Sequence, residues 1–151
     1  MSDDRTLVIK RVLDAPRELV FAAWVDPAQA AQWWGPKGFT TVSAEMDVRV
    51  GGEWRRRMRS PDGPEHRSRG VYREIVRPER LVFTFCWEQG GAPGHGPETV
   101  VTLIFADLGS GRTELTLHQA PFATVAGRDD HRTGWSGALE RLADYLKARV
   151  N

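Results

Sequence analysis

Four histidines, one cysteine and the serine of GWSGA are the side chains best suited to chemistry in this 151-residue chain. His66, His95, His118 and His131 never fall at H-x-x-x-H or C-x-x-C spacing, which is how neighbouring ligands are brought to one metal, so no metal site is expected. Cys86 stands between Phe85 and Trp87 in an apolar stretch, where a thiol is ordinarily buried and inert; a nucleophile needs a positive neighbour to hold its thiolate. Ser136 in GWSGA misses G-x-S-x-G because Ala138 holds the last position, and it falls in a helix instead of a strand-to-helix elbow. The stretch QGGAPGHGP contains neither G-K-[ST] nor G-x-G-x-x-G and reads as a mobile loop, not a phosphate cradle. No conventional catalytic motif and no cofactor signature is present in the sequence.

The segment HRTGW asks for more. His131 lies one helical turn before Trp135, so both side chains share a face. Gly134 and Gly137 inside a helix each cost about 1 kcal/mol relative to Ala, a cost that points to close approach by another backbone or a bulky group. Either Trp135 anchors the helix while His131 bonds a loop carbonyl, or the pair stands at the mouth of a cavity. Trp33-Trp34-Gly35-Pro36 has the same two readings, a structural cap over one end of the fold or a gate. Arg56 is the best polar group for orienting a ligand, with Glu45 and Asp47 behind it, and strand phase decides, because a slip of one residue reverses every face.

The elements that must position these residues are legible from periodicity. Composition is 40% hydrophobic and 27% charged with a net charge of +1, which excludes a disordered chain. One cysteine excludes an internal disulfide and fits a reducing compartment. No apolar run approaches the roughly 18 residues of a membrane span, and MSDDRT is unlike a secretory signal. The expectation is a soluble, cytoplasmic, single domain over residues 1–151. Between Arg49 and Arg80 ten arginines face five acids, an excess that reads mainly as a solvated strand face, or as a surface for an acidic protein partner. Nucleic-acid readers carry a larger excess or a recognisable motif.

Thr6 to Leu13 reads as a strand. Asp14 ahead of Pro16 predicts a capped helix start with Leu19, Val20, Ala23 and Trp24 as its apolar stripe, and Asp26-Pro27 with Gln29 predicts a second, short helix to about Trp33. The period then becomes two. Val42, Ala44, Met46 and Val48 form one apolar face; Glu53–Arg59, Ser68–Val76, Leu81–Trp87, Thr99–Ala106 and Thr113–Gln119 follow as strands. Their short connections require antiparallel pairing. A helix from about Arg128 to Arg149 buries Trp135, Ala138, Leu139, Leu142, Tyr145 and Leu146 on one face, while Arg132, Glu140, Arg141, Asp144 and Lys147 point elsewhere. The architecture is α+β: a curved seven-stranded antiparallel sheet around one long C-terminal helix, with two short helices after the first strand.

A helix only about 10 Å across leaves room inside a strongly curved sheet. Candidate walls of such a cavity are Trp34, Met46, Trp54, Met58, Phe83, Phe85, Trp87, Leu103, Leu115, Trp135 and Leu139, with Arg56 and His131 as polar members. The successive motifs DAPRELVFAAWVDPAQAAQWWGP, MDVRVGGEW, GVYREIVRPERLVFTF and HRTGW with its Leu-x-x-Leu helix resemble the activator of heat-shock protein 90 ATPase-like branch of the SRPBCC, or START-like, helix-grip superfamily. The resemblance covers nearly the whole chain. It implies a cavity between sheet and helix that in the superfamily accommodates lipids, sterols, polyketides or other hydrophobic molecules. Binding of a small hydrophobic or aromatic ligand is therefore the leading expectation. A cavity enzyme of cyclase, aromatase or hydrolase type, using Arg56 or His131, is the first alternative, and a chaperone-partner module using the Arg49–Arg80 stretch is the second. Homodimerisation through sheet edges or the Trp33-Trp34 region remains open at this point.

Overall fold

The computed structural model describes residues 5–87 and 98–150. Its elements are β1 (Leu7–Leu13), α1 (Arg17–Val25), α2 (Pro27–Trp33), β2 (Thr40–Met46), β3 (Glu53–Arg59), β4 (Glu65–Val76), β5 (Arg80–Trp87), β6 (Thr99–Gly109), β7 (Arg112–Ala120) and α3 (Val125–Val150). The strands form one antiparallel sheet in the order β1-β7-β6-β5-β4-β3-β2. Consecutive strands from β2 to β7 neighbour each other as the short turns demand. β1 completes the far edge by pairing with β7, Leu7 opposite Gln119 and Leu13 opposite Thr113. The stretch QGGAPGHGP, with His95, lies outside the described residues.

Burial alternates along the strands and fixes their phase. On β3, Trp54, Arg56 and Met58 are buried while Glu53, Arg55 and Arg59 are exposed. Leu103 and Phe105 of β6 and Leu115 and Leu117 of β7 face the same interior. Trp135, Ala138, Leu139, Leu142 and Leu146 of α3 close over it, each large apolar side chain contributing roughly 1.5–3 kcal/mol of burial. The α1–α2 corner adds Phe21, Trp24 and Trp33; the Trp24 and Trp33 rings meet edge to face at 4.6 Å.

Three local expectations are corrected. The first helix begins at Arg17 with Pro16 in the N-cap position and no side-chain cap, and the Asp14 carboxylate lies 3.3 Å from Arg112 instead. The apolar face of β2 is interrupted by a register shift between Thr41 and Ser43, which leaves Val42 exposed and turns Thr41 inward. The same phase leaves Glu45 and Asp47 exposed, so neither faces the interior, and Asp47 is engaged by Arg49 at 2.8 Å. The second cap forms as expected: Asp26 accepts from the Ala28 amide at 3.0 Å, and Gln29 closes onto its other oxygen at 3.1 Å. No helix among the described residues is long and apolar enough to cross a membrane.

Candidate ligand-binding site

α2 stops at Trp33 because Trp34 is extended, and Gly35 then takes a φ of +106°, a conformation that disfavours any side chain. A Cβ at Gly35 would also press on Met58 Sδ at 2.7 Å. The turn is held from α3. Nη1 of Arg141 lies 3.1–3.4 Å from the carbonyl oxygens of Trp34, Gly35, Pro36 and Phe39, and Nη2 lies 3.3 Å from that of Gln32. Arg141 thus supplies donors to carbonyls at the end of α2 and in the turn that follows, where the helical pattern of donors stops. Burial draws its pKa below the ordinary arginine value. Gly137 allows this approach, since a Cβ there would sit 3.2 Å from the Lys37 amide nitrogen. At Gly134 a Cβ would meet only Pro36 Cγ, at 3.5 Å.

Between this turn, α3 and the sheet lies a half-open pocket of about 200 Å³ with an almost wholly apolar wall. Trp34, Gly35, Pro36 and Phe39 form one side and Met58, His66, Phe85 and Trp87 the sheet side; Asp130, His131, Gly134, Trp135 and Ala138 complete it from α3. Two hydrogen-bonded arrangements fix its aromatic walls. The Trp87 indole donates to Nε2 of His131 at 3.2 Å, which ties α3 to a strand tryptophan. The Trp135 indole donates to Gln119 at 2.7 Å, the Gln119 amide to the Thr99 hydroxyl at 2.8 Å, and that hydroxyl to the Phe85 carbonyl at 3.2 Å. This relay is buried throughout, where satisfied polar groups specify one orientation.

A second, inner cavity of about 10 Å³, near the size of one water, is bordered by Trp24, Trp34, Met46, Trp54, Arg56, Tyr72, Leu81 and Phe83. Trp34 borders both cavities. Arg56 is 1% exposed. Its guanidinium carbon lies 4.5 Å from the Trp34 ring centroid, and Nη2 donates to Thr41 Oγ1 at 2.7 Å. Its Nε and Nη1 are buried without an acceptor. Burial, reinforced by Arg141, draws the Arg56 pKa down to about 9, which leaves a cation at neutral pH. Burial pushes the neighbouring Tyr72 phenol above its ordinary value, so Tyr72 stays neutral and supplies no countercharge.

Of the sequence candidates, Trp34, Met58, Phe85, Trp87, His131 and Trp135 surround the outer pocket, and Met46, Trp54, Arg56 and Phe83 the inner one. Leu103, Leu115 and Leu139 sit in the packed core and border neither. Cys86 is half-buried, not sequestered, because the inward phase of β5 belongs to Phe83 and Phe85. β4 begins at Glu65, earlier than the Ser68 expected from the sequence, and so pairs His66 with Met58. Gln119 and Thr99 carried a signal in hindsight: each is a polar residue at an inward, period-two position. Arg141 carried none, being one more charge on the polar side of α3. Among the described residues no group of three His, Cys, Asp or Glu could hold a metal ion.

A sheet gripping one long helix, with a pocket left between them, defines the helix-grip class. The family model for "Activator of Hsp90 ATPase homolog 1-like protein" matches residues 14–147, and the chain belongs to that family. Among solved structures, protein CV1439 from Chromobacterium violaceum is 30% identical with a TM-score of 0.82, over 94% of this chain and 96% of that one. The AHSA1 protein from Silicibacter pomeroyi is 25% identical with a TM-score of 0.82, over 95% and 99%. A protein from Arthrobacter aurescens is likewise 25% identical with a TM-score of 0.82, over 98% and 90%. No curated protein matches.

Proposed function

We propose that this protein binds one small apolar or aromatic molecule in the outer pocket. The observation that carries the reading is the wall itself: three tryptophans, two phenylalanines and a methionine face a half-open space of about 200 Å³ that their own packing does not fill. Apolar cavities of about 150 Å³ accept benzene, so this one suits a one- or two-ring body. Preset aromatic orientations, fixed by the Gln119 relay and the His131 bond, limit the ordering cost of binding.

The family's description offers a chaperone-associated role as the alternative. Against it stands the state of the Arg49–Arg80 face. Arg57, Arg59 and Arg67 gather on Glu65; Arg49, Arg73 and Arg80 pair with Asp47, Glu98 and Glu74. Much of the charge that would attract an acidic partner is already engaged. An enzymatic reading would have to use His66, Asp130 or His131, the titratable side chains on the pocket wall.

Fluorescence titration with the neutral two-ring probe 1-naphthylamine tests the proposal, beside a Gly134→Leu variant whose side chain enters the pocket from α3. Saturable one-to-one enhancement, weakened about tenfold or more by the variant, is expected for a filled cavity of this size. No saturable enhancement, or the same affinity in a folded Gly134→Leu, would overturn it.

A further inference from the structure

Several arginines on the outer face of this sheet have carboxylates beside them: Glu65 accepts from Nε and Nη2 of Arg57 at 2.9–3.0 Å, and Glu74 from Arg80 at 3.0 Å. Arg56 faces inward, is 1% exposed, and makes no salt bridge. The ionised group nearest in effect is another cation, Arg141. Burying a cation without a partner is strongly unfavourable, and each buried donor without an acceptor costs about 1–3 kcal/mol. Stacking on Trp34, a bond to Thr41 at 2.7 Å and a long one to the Trp34 carbonyl at 3.5 Å, all but the stacking made by Nη2, recover only part of that. A purely structural role would need neither the charge nor the two unused nitrogens.

Geometry joins this cation to the outer pocket. Arg56 and Met58 are alternate residues on the inward face of β3, about 6.6 Å apart along the strand, and Met58 borders the outer space. Trp34 is the one residue that the two linings share among the described residues.

We propose that Arg56 selects the ligand by charge: the molecule held here is a small aromatic or aliphatic acid, its apolar body against Trp34 and Trp135 and its anionic oxygen at Arg56. This rests on the pocket reading above and adds to it the chemical class of the ligand. A shift of the Trp34 ring merges the two cavities, and the incoming oxygen accepts from a nitrogen that otherwise lacks an acceptor. Charge-assisted hydrogen bonds of this kind, made away from water, are about twice as strong as neutral ones. The neutral Tyr72 phenol and the absence of a carboxylate beside Arg56 leave the incoming anion as the only negative charge at that end of the site among the described residues.

The test is calorimetric titration with naphthalene-2-carboxylate and its neutral isostere naphthalene-2-carboxamide. Wild-type protein should prefer the carboxylate by about tenfold or more, and Arg56→Gln should bring the ratio of the two affinities close to one. Equal affinity for both in wild type, or a preference that persists in Arg56→Gln, overturns the assignment to Arg56 while the pocket itself stands. Binding of neither compound overturns the pocket and this inference together. If Arg56→Gln does not fold, nitrogen NMR on wild-type protein decides the matter. The Arg56 Nε–H signal should move with the carboxylate and stay in place with the amide; equal movement with both, or none with either, counts against Arg56.

Discussion

The Arg56 guanidinium lies 4.5 Å from the centre of the Trp34 ring, sealed from water and supported by one short hydrogen bond to Thr41. Such a group is expensive to keep. Arg56→Met, which retains the stem and removes the charge, should therefore leave the fold equally stable or stabilise it by about 1–3 kcal/mol. Urea denaturation of both proteins measures this, and a loss of stability would mean that the cation holds the fold together.

The Trp135–Gln119 bond of 2.7 Å makes the opposite prediction. Gln119→Leu keeps the volume but strands the Trp135 indole N–H, and it removes the donor to Thr99, in a region closed to water. A loss of about 1–3 kcal/mol follows. Stability within error of wild type would show that water enters the relay.

Two glycines should respond in opposite directions. At Gly70 a Cβ would overlap the Thr84 carbonyl oxygen and press on the Trp54 indole that bonds the same oxygen at 3.2 Å, so Gly70→Ala should cost about 2 kcal/mol or more. At Gly134 a Cβ would make ordinary contact with Pro36, and Gly134→Ala should gain up to about 1 kcal/mol from helix propensity alone. Thermal denaturation of the pair checks both signs.

Glu65 supplies the pH dependence. The Arg57 guanidinium holds its carboxyl below the usual range, so the folded pKa lies under the unfolded one. The resulting stabilisation is complete above the unfolded pKa and lost as pH falls through the folded one. Glu65→Gln should accordingly lower the melting temperature at pH 7, with the difference from wild type shrinking as pH drops below about 4. A difference independent of pH would contradict the ion-pair account.

The strands, the long helix and the aromatic wall were legible because burial on one face imposes a period of two or 3.6 on the residues. Trp54, Arg56 and Met58 kept the expected phase on β3 since no bulge intervenes there. β2 lost its phase at Val42, because one extra residue in a strand shifts every side chain before it to the other face. Arg141 was illegible for a different reason. Its task is to meet carbonyls about a hundred residues away in sequence, and local pattern cannot distinguish such an arginine from a solvated one. The place of Trp34 on the border of two cavities is likewise a product of packing.

The six tryptophans allow the most direct measurement. With naphthalene-2-carboxamide titrated into nitrogen-labelled protein, the account predicts that the indole signals of Trp34, Trp87 and Trp135 move and saturate together while those of Trp24 and Trp33 hold still. Six unmoved signals at saturating ligand, or movement confined to Trp24 and Trp33, would contradict a binding site between the long helix and the sheet.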